Sequence, residues 1–340
     1  MKAIQIIQPG EVKVVDIKKP EAKQGEVLVK LKYVGFCGSD LNTYLGKNPM
    51  VRLPVVPGHE ISAEITEVTE GVPEYIKSGM LCTINPYTAC GHCSSCRNGR
   101  PNACRFNQTL GVQRDGAMSE YFAVPWEKII TDRENKLTSK EFALVEPLSV
   151  GFHAVSRAAV TDSDTVMVIG CGMIGLGALI RSVIRGAKVI AVDVDEEKLA
   201  LAKQLGAVYT INSQTEDVHS RLQSLTNDAG PDVVVEAVGA PVTYQMAVNE
   251  TAFTGRVVCI GYAKTDIAFE TKLFVQKEID IRGSRNAMPE DFRAVMEYLK
   301  KGTCPADALI SGIFAPEQAQ TALETWKEQP GKVFRLLIRF

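Results

Sequence analysis

The sequence predicts an α/β protein with two domains, one rich in β-strands and one built on a doubly wound parallel sheet. Three observations lead to this prediction. The chain has 340 residues, which is more than a single hydrophobic core commonly supports. Its first part carries short alternating segments separated by glycine and proline, a pattern typical of a barrel or sandwich. Later, an apolar segment runs into a Gly-x-Gly-x-x-Gly turn, and apolar strands then alternate with helical stretches.

The composition is that of an ordinary globular protein, with 45% hydrophobic and 23% charged residues and a net charge of −2. The sequence has no basic stripe, which argues against a nucleic acid as the main partner. No apolar run approaches the roughly 20 residues of a membrane span. The N-terminus enters a strand pattern directly, without the apolar core of a signal peptide, so we expect a cytoplasmic protein.

The β-rich part begins at the N-terminus, where apolar and polar residues alternate. The strands predicted in this part are Lys2–Ile6, Lys13–Ile17, Glu26–Leu31 and Met118–Val124. Cys37 then stands in a glycine-flanked turn that opens a short helix, for which Ser39 or Asp40 is the expected N-cap. His59 and Glu60 follow a proline-rich link. A histidine beside an acid is more often structural than metal-binding, but the neighbouring cysteines favour a metal.

Four cysteines are crowded into one short stretch, at Cys90, Cys93, Cys96 and Cys104. In a cytoplasmic chain, such crowding indicates metal ligation rather than disulfides. Four thiolates match tetrahedral Zn²⁺, and an iron–sulfur cluster is the competing assignment. Because four protein ligands close the coordination sphere, we expect this site to be structural.

One acid, Glu146, interrupts the apolar segment Phe142–His153. An unpaired carboxylate is costly to bury, so Glu146 needs a partner. It is either a carboxylate at a helix end or a metal ligand or the reserve for one, and its surroundings in the sequence leave these interpretations open.

The parallel sheet starts near Thr165 with an apolar strand that ends in the glycine turn Gly170–Gly175. Its three glycines allow a tight turn, approach of a pyrophosphate to the backbone and close helix–sheet contact, and the helix N-terminus then faces the phosphates. The next strand, Lys188–Val192, ends at Asp193, near the spacing expected for the acid that binds the adenosine ribose. That acid repels a 2′-phosphate, so NAD is favoured over NADP. Lys198 is either a ribose contact or an exposed helical lysine.

Strands and helical stretches continue to alternate through this part of the chain. Further strands are predicted at Val208–Ile211, Asp232–Glu236 and Gly255–Gly261, a helix at Lys198–Leu205 and another at Glu290–Lys301. The last strand, Lys332–Phe340, alternates again and is able to rejoin the β-rich part. The residues expected to bind the cofactor are Gly170, Gly172, Met173, Ile174, Gly175, Asp193, Lys198, Gly239, Gly261 and Ser284.

Taken in order, these motifs resemble the zinc-dependent medium-chain alcohol dehydrogenases over essentially the whole chain. The motifs are Cys37-Gly-Ser-Asp40, Gly58-His-Glu60, the four-cysteine lobe, Glu146-Pro-Leu148 and the turn Gly170–Gly175. The resemblance implies a GroES-like catalytic domain, residues 1–150 and 287–340, with a structural zinc lobe at about 88–106. A Rossmann NAD-binding domain, residues 151–286, interrupts it, and the active site is expected in the cleft between the two.

The resemblance also implies roles for individual residues. Cys37 and His59 are expected to bind a catalytic zinc, so that the chain holds two zinc ions. Glu60 and Glu146 are the acids at this zinc, and relatives differ in which of them is a ligand. Ser39 is expected to take the substrate proton. Close relatives often have histidine at position 42, so Asn42 implies a proton path through water or the ribose instead.

The substrate class also follows from the resemblance. Glutamate at position 146 is similar to the polyol, sorbitol and threonine dehydrogenases, and the segment Gly283–Phe292 resembles bacterial dehydrogenases of sugar acids such as L-galactonate and L-gulonate. Arg285 is either a bidentate partner of a substrate carboxylate or part of a surface ion pair. Tyr44 either lines the substrate pocket or packs in the core.

We therefore expect a zinc-dependent oxidoreductase that transfers a hydride from a secondary alcohol of a sugar acid or polyol to NAD, in a homodimer or homotetramer. L-threonine 3-dehydrogenase and sorbitol or L-iditol-type dehydrogenase are the alternatives within this class. A catalytically silent NAD-binding sensor is an alternative from another class, and the intact set of metal residues speaks against it. A zinc-ribbon nucleic-acid module is a third, disfavoured by the net charge.

Overall fold

The structure is a computed structural model that describes all 340 residues. The chain forms two compact units. Unit one comprises Met1–Glu146 and Met288–Phe340, and unit two comprises Pro147–Ala287. None of the helices combines the length and the apolar composition that crossing a bilayer requires.

Fifteen strands and ten α-helices make up the two units. The strands are β1 (Lys2–Gln8), β2 (Glu11–Asp16), β3 (Glu26–Phe36), β4 (Glu60–Val68), β5 (Leu81–Ile84), β6 (Tyr121–Pro125), β7 (Ile129–Thr131), β8 (Thr165–Ile169), β9 (Lys188–Asp193), β10 (Tyr209–Asn212), β11 (Val233–Glu236), β12 (Arg256–Cys259), β13 (Asp280–Gly283), β14 (Gly312–Phe314) and β15 (Leu336–Arg339). The α-helices are α1 (Gly38–Tyr44), α2 (Ser94–Arg97), α3 (Ser139–Ala158), α4 (Met173–Ile184), α5 (Glu196–Gln204), α6 (Val218–Thr226), α7 (Pro241–Glu250), α8 (Lys272–Gln276), α9 (Pro289–Leu299) and α10 (Ala319–Glu328). Short 3₁₀ turns lie at Pro101–Ala103, Trp126–Lys128, Ala306–Leu309 and Pro316–Gln318.

Unit one is organised around the long strand β3. This strand pairs antiparallel with β4, β6 and β15 in a seven-stranded sheet of order β14-β15-β3-β4-β5-β7, in which β6 also pairs with β3. Its residues Val27, Val29 and Leu31 are fully buried in the core of unit one, as the period of two along a strand requires. The pairing of β15 with β3 confirms that the last strand rejoins the β-rich part.

Unit two is a parallel sheet in the order β10-β9-β8-β11-β12-β13. Its central strands are apolar, and Val166, Val168 and Ile190 are almost completely buried. Near-continuous apolar strands are typical of a parallel sheet that is covered on both faces. The strand order reverses between β8 and β11, and such a switch point is where open parallel sheets commonly bind ligands.

Several elements differ from the prediction in detail. The N-cap of α1 is Cys37 rather than Ser39 or Asp40. Asp40 instead occupies the third helical position, from which its Oδ2 accepts a hydrogen bond from the Cys37 backbone N–H at 2.8 Å. Helix α5 starts two residues earlier than predicted because Asp195 caps it, accepting hydrogen bonds from two backbone N–H groups.

Candidate metal and cofactor sites

Strands β3 and β4 bring two parts of the predicted metal site together. In their antiparallel register, Gly35 lies opposite Glu60. The residues just past the end of β3 therefore lie beside those just before β4, so Cys37 and His59 become neighbours. The Cys37 sulfur, a His59 ring nitrogen and a Glu60 carboxylate oxygen all lie within 4.8 Å of one another. Thiolate, imidazole and carboxylate are the donor types that zinc takes, so this set fits the predicted metal.

Within this set, Cys37 and His59 alter each other's pKa. Burial alone would raise the pKa of the Cys37 thiol, but its hydrogen bond to His59 and the charge of that ring lower the pKa instead. Burial likewise opposes the charged form of His59, yet the bond and charge of Cys37 raise the pKa of this histidine well above its usual range. The pair therefore favours a thiolate, the form in which cysteine binds a metal. Zinc binding to a neutral imidazole then releases a proton.

The carboxylate of Glu60 is paired with Arg335. The Arg335 Nε lies 3.1 Å from Glu60 Oε2, and both side chains are almost inaccessible to water. Burial raises the pKa of Glu60 well above its ordinary value, and the Arg335 charge opposes this rise. Arg335 also donates a hydrogen bond from Nη1 to the Phe36 carbonyl oxygen at 2.8 Å. Sequence analysis did not identify Arg335.

Glu146 occupies a different position from Glu60. It lies within α3 rather than at a helix end, it is buried, and its Oε1 accepts a hydrogen bond from the Tyr87 hydroxyl. Its carboxylate does not belong to the set formed by Cys37, His59 and Glu60. Burial, followed by the charge of Glu146, raises the pKa of Tyr87 well above its usual range. Tyr87 is a second residue that sequence analysis missed.

The remaining predicted residues of unit one lie on or near α1. Ser39 is in the first turn of α1, and its Oγ is buried with no hydrogen-bond partner. Asn42 lies within the same helix, where its carbonyl oxygen accepts from the Lys47 N–H at 2.7 Å. Tyr44, at the end of α1, is buried in the core of unit one, which corresponds to the packing alternative for this residue.

The four-cysteine lobe forms a compact sulfur cluster. The Cys90, Cys93, Cys96 and Cys104 sulfurs lie within 4.8 Å of one another. Backbone N–H groups point at these sulfurs, with the Cys93 N–H donating to Cys90 Sγ at 3.3 Å and the Phe106 N–H to Cys104 Sγ at 3.3 Å. A hydrogen bond from Ser95, followed by backbone N–H groups, lowers the pKa of Cys93 to about 5. The cluster therefore fits a metal held by four thiolates.

The glycine turn of unit two joins β8 to α4. Gly170 has a φ of 93°, which a residue with a side chain rarely adopts. A Cβ on Gly175 would lie 1.7 Å from the Gly170 carbonyl oxygen, so only glycine permits this helix to start so close to the strand. Met173 and Ile174 form the first turn of α4, whose N-cap is Gly172. The geometry of this turn is therefore suited to binding a pyrophosphate.

A cavity of about 290 Å³ lies beside this turn, at the carboxyl ends of the strands. Its lining includes four of the predicted cofactor residues, Gly170, Gly172, Asp193 and Lys198. Sequence analysis did not identify the other polar residues of the lining, Ser213 and Thr243. Asp193 is held in place by backbone N–H groups. Its Oδ2 accepts from Cys171 at 2.6 Å, and its Oδ1 accepts from Val194 at 2.7 Å.

The other predicted cofactor residues follow neighbouring strands of the same sheet. Gly239 follows β11 and Gly261 follows β12, and a Cβ on Gly261 would lie 2.2 Å from the Gly239 nitrogen. The two loops therefore approach each other as closely as backbone atoms allow. Ser284 follows β13, and its N–H donates to the Cys259 carbonyl oxygen at 2.9 Å. Arg285 is the next residue and is partly buried.

Two family profiles match the chain, one in each part. The profile described as zinc-binding dehydrogenase matches residues 174–301, and the alcohol dehydrogenase GroES-like domain matches residues 23–133. L-galactonate-5-dehydrogenase of Escherichia coli strain K12 is 32% identical over 304 residues, which are 89% of this chain and 88% of that protein. Sorbitol dehydrogenase of Halalkalibacterium halodurans is 31% identical over an alignment of 343 positions that covers 99% of each chain.

A solved structure is similar over the whole chain. The crystal structure of the alcohol dehydrogenase RspB from Escherichia coli CFT073, complexed with NADH, has a TM-score of 0.91 at 29% identity and covers 100% of this chain and 99% of its own. These findings confirm the GroES-like and Rossmann fold class and the alcohol dehydrogenase class predicted from the sequence. The predicted zinc and nicotinamide dinucleotide are confirmed at the level of the family. The chain therefore belongs to the family of zinc-binding alcohol dehydrogenases.

Proposed function

We propose that this protein oxidises a secondary alcohol of a sugar acid or polyol, with zinc as its catalytic metal and NAD as its hydride acceptor. The observation that carries the proposal is the gathering of Cys37, His59 and Glu60 within 4.8 Å. Three protein ligands leave one position of a tetrahedral zinc for an oxygen of the substrate, as in catalytic zinc sites. The four-cysteine lobe lacks such an open position and is assigned to a structural zinc.

Each residue of the catalytic set has a separate task. Zinc, when bound, supplies Lewis acidity that makes the proton of an alcohol easier to remove. Cys37, His59 and Glu60 would hold this metal, and the charge of Arg335 opposes the rise in the Glu60 pKa that burial causes. Ser39 accepts the alcohol proton, because its buried Oγ has no other hydrogen-bond partner. With asparagine at position 42, the proton continues to water or to the ribose.

Unit two is assigned to the dinucleotide. The turn Gly170–Gly175 offers backbone N–H groups to the pyrophosphate. The Asp193 carboxylate, which lines the neighbouring cavity, binds the hydroxyls of the adenosine ribose and repels a 2′-phosphate. NAD is therefore preferred over NADP. Met173, Ile174, Lys198, Gly239, Gly261 and Ser284 complete the proposed cofactor residues.

Two substrate classes are supported by different similarities. The likeness to L-galactonate-5-dehydrogenase supports a sugar acid, whose carboxylate Arg285 is able to bind through two hydrogen bonds. The likeness to sorbitol dehydrogenase supports a neutral polyol, for which Arg285 has no such use. We place the sugar acid first because the segment Gly283–Phe292, which contains Arg285, resembles bacterial dehydrogenases of sugar acids.

Two further features are part of the proposal. We infer a homodimer or homotetramer, which size-exclusion chromatography with light scattering measures directly. We also infer a cytoplasmic location, consistent with the reduced cysteines that the metal sites require.

A screen for NADH formation tests the proposed function. The purified protein is incubated with NAD and with sugar acids, neutral polyols or L-threonine in turn, and the absorbance of NADH is followed. We expect turnover with at least one sugar acid or polyol, at a higher kcat/KM than with L-threonine. NAD binding without turnover on any alcohol would instead favour the silent sensor.

A further inference from the structure

Tyr87 connects the segment before the four-cysteine lobe with the buried carboxylate of Glu146. Its side chain is 5% exposed, and its hydroxyl donates a hydrogen bond to Glu146 Oε1. The position of Tyr87 is fixed by three neighbours. Its ring meets that of Phe292 edge-on, with centroids 6.3 Å apart. Its carbonyl oxygen accepts from Lys128 Nζ at 2.7 Å, and its N–H donates to Asn85 Oδ1 at 3.1 Å. The phenol therefore reaches Glu146 from a well-anchored backbone.

Glu146 is close to the catalytic set without belonging to it. Its carboxylate interacts electrostatically with both His59 and Glu60, two members of this set. Its carboxylate nevertheless stays outside the ligand atoms of Cys37, His59 and Glu60 that gather within 4.8 Å. Because Glu146 is only 3% exposed, protein groups rather than water decide where this carboxylate points.

We propose that Tyr87 is a positioning residue that holds Glu146 out of the zinc coordination set and thereby keeps the substrate position open. The inference rests on the proposed function. A carboxylate oxygen that accepts a charge-assisted hydrogen bond from a phenol has less electron density to offer a metal. A fourth protein ligand beside Cys37, His59 and Glu60 would complete the tetrahedron, and such closed sites are structural rather than catalytic.

The proposal separates the roles of the two acids. Glu60, paired with Arg335, is the ligand of the resting site. Glu146, paired with Tyr87, is the reserve that enters only when its phenolic partner is removed. Loss of a hydrogen bond to a charged group corresponds to about tenfold or more in an equilibrium, so we expect removal of the hydroxyl to favour entry of Glu146 into the metal site by about this factor.

Cobalt substitution gives a readout that does not depend on turnover. The accessible zinc is exchanged for Co²⁺, whose visible absorption depends on the number and type of its ligands. Four proteins are compared: wild type, Tyr87→Phe, Glu146→Gln and the double variant. The four-cysteine lobe is the same in all of them and cancels in difference spectra. Tyr298→Phe is the matched control, because this partly buried tyrosine of unit one hydrogen-bonds Cys304 rather than a residue of the metal set.

The expected result is a changed Co²⁺ spectrum in Tyr87→Phe, with kcat lowered about tenfold or more and little change in KM for NAD. Glu146→Gln and the double variant should share one spectrum, because without the carboxylate the phenol has nothing to hold. The inference is overturned if Tyr87→Phe leaves the spectrum as in Tyr298→Phe, or if it alters the spectrum equally in the Glu146→Gln background. If the wild type takes up no Co²⁺ outside the four-cysteine lobe, the proposed function fails as well.

Discussion

Arg335 and Glu60 form a buried ion pair, with the Arg335 Nε 3.1 Å from Glu60 Oε2. The pair joins the C-terminal segment of the chain to the first residue of β4, where the proposed catalytic zinc is held. Arg335 is 3% exposed, and Glu60 is fully buried. The guanidinium group therefore compensates a carboxylate that water does not reach, and its loss should affect both the stability of unit one and its metal.

The first prediction concerns this pair. Replacing Arg335 with methionine keeps the bulk of the side chain but leaves Glu60 buried without its cation, which typically costs about 3–5 kcal/mol. We expect this loss in the free energy of unfolding from urea titrations, together with faster loss of the catalytic zinc to a competing chelator. Arg339→Met, an exposed position on β15, is the control. Equal stability of the two variants would contradict the role given to Arg335.

The second prediction concerns the choice of dinucleotide. Asp193→Asn removes the negative charge that repels a 2′-phosphate but keeps the size of the side chain and one of its two oxygen acceptors. The ratio of kcat/KM with NAD to that with NADP should fall by about tenfold or more. Asp217→Asn alters a carboxylate that caps α6 in the same unit and should leave the ratio unchanged. A wild-type enzyme that works better with NADP would overturn the assignment of Asp193.

The third prediction separates the two substrate classes. Arg285→Ala should lower kcat/KM for a sugar acid far more than for a neutral polyol, because only the acid offers a carboxylate for a bidentate bond. Both substrates are measured on the same preparation, so that a loss of activity common to all substrates cancels in the comparison. Equal losses on the two would show that Arg285 does not bind a carboxylate.

The fourth prediction concerns stability against acid. Burial alone would raise the pKa of Asp132, but a hydrogen bond from Lys300 and three backbone N–H groups lower it below the ordinary value. The Lys300 Nζ lies 3.0 Å from Asp132 Oδ1, and the Lys136 N–H donates to Oδ2 at 2.6 Å. A lowered carboxyl pKa contributes stability above the unfolded pKa, and this contribution disappears as the pH falls through the folded one.

Asp132→Asn should therefore lower the free energy of unfolding by about 2 kcal/mol at neutral pH. The difference from wild type should shrink as the pH falls below the ordinary carboxyl range, where the wild-type acid is also neutral. Urea titrations at the two extremes measure this change. A difference that stays constant with pH would mean that the charge of Asp132 does not contribute.

The ligand residues were predictable because they stand in short motifs. The spacing of the four cysteines is itself the signature of a metal site. Cys37 and His59 lie in separate motifs, but each follows or precedes a strand, and the register of β3 with β4 brings them together. The glycine motif was also sufficient to predict the turn, because the close approach of Gly175 to Gly170 leaves no space for a side chain.

The partners of these ligands were not predictable in the same way. Arg335 reaches Glu60 only because β15 pairs with β3, and Tyr87 reaches Glu146 through the packing of unit one. No spacing in the sequence indicates such long-range contacts. Strand β4 was also not predicted, although the apolar residues Ile61, Ala63 and Ile65 alternate with polar residues along it, a pattern that indicates a strand.

The most direct test of the proposed catalysis is NADH formation by one preparation before and after removal of its accessible zinc. The protein is treated with a chelator, its metal content and its circular dichroism are measured, and zinc is then restored. We predict that activity on the best sugar acid or polyol disappears with the zinc while the fold is retained, and returns when zinc is added. Full activity in a folded protein verified to lack the zinc of Cys37, His59 and Glu60 would contradict the account.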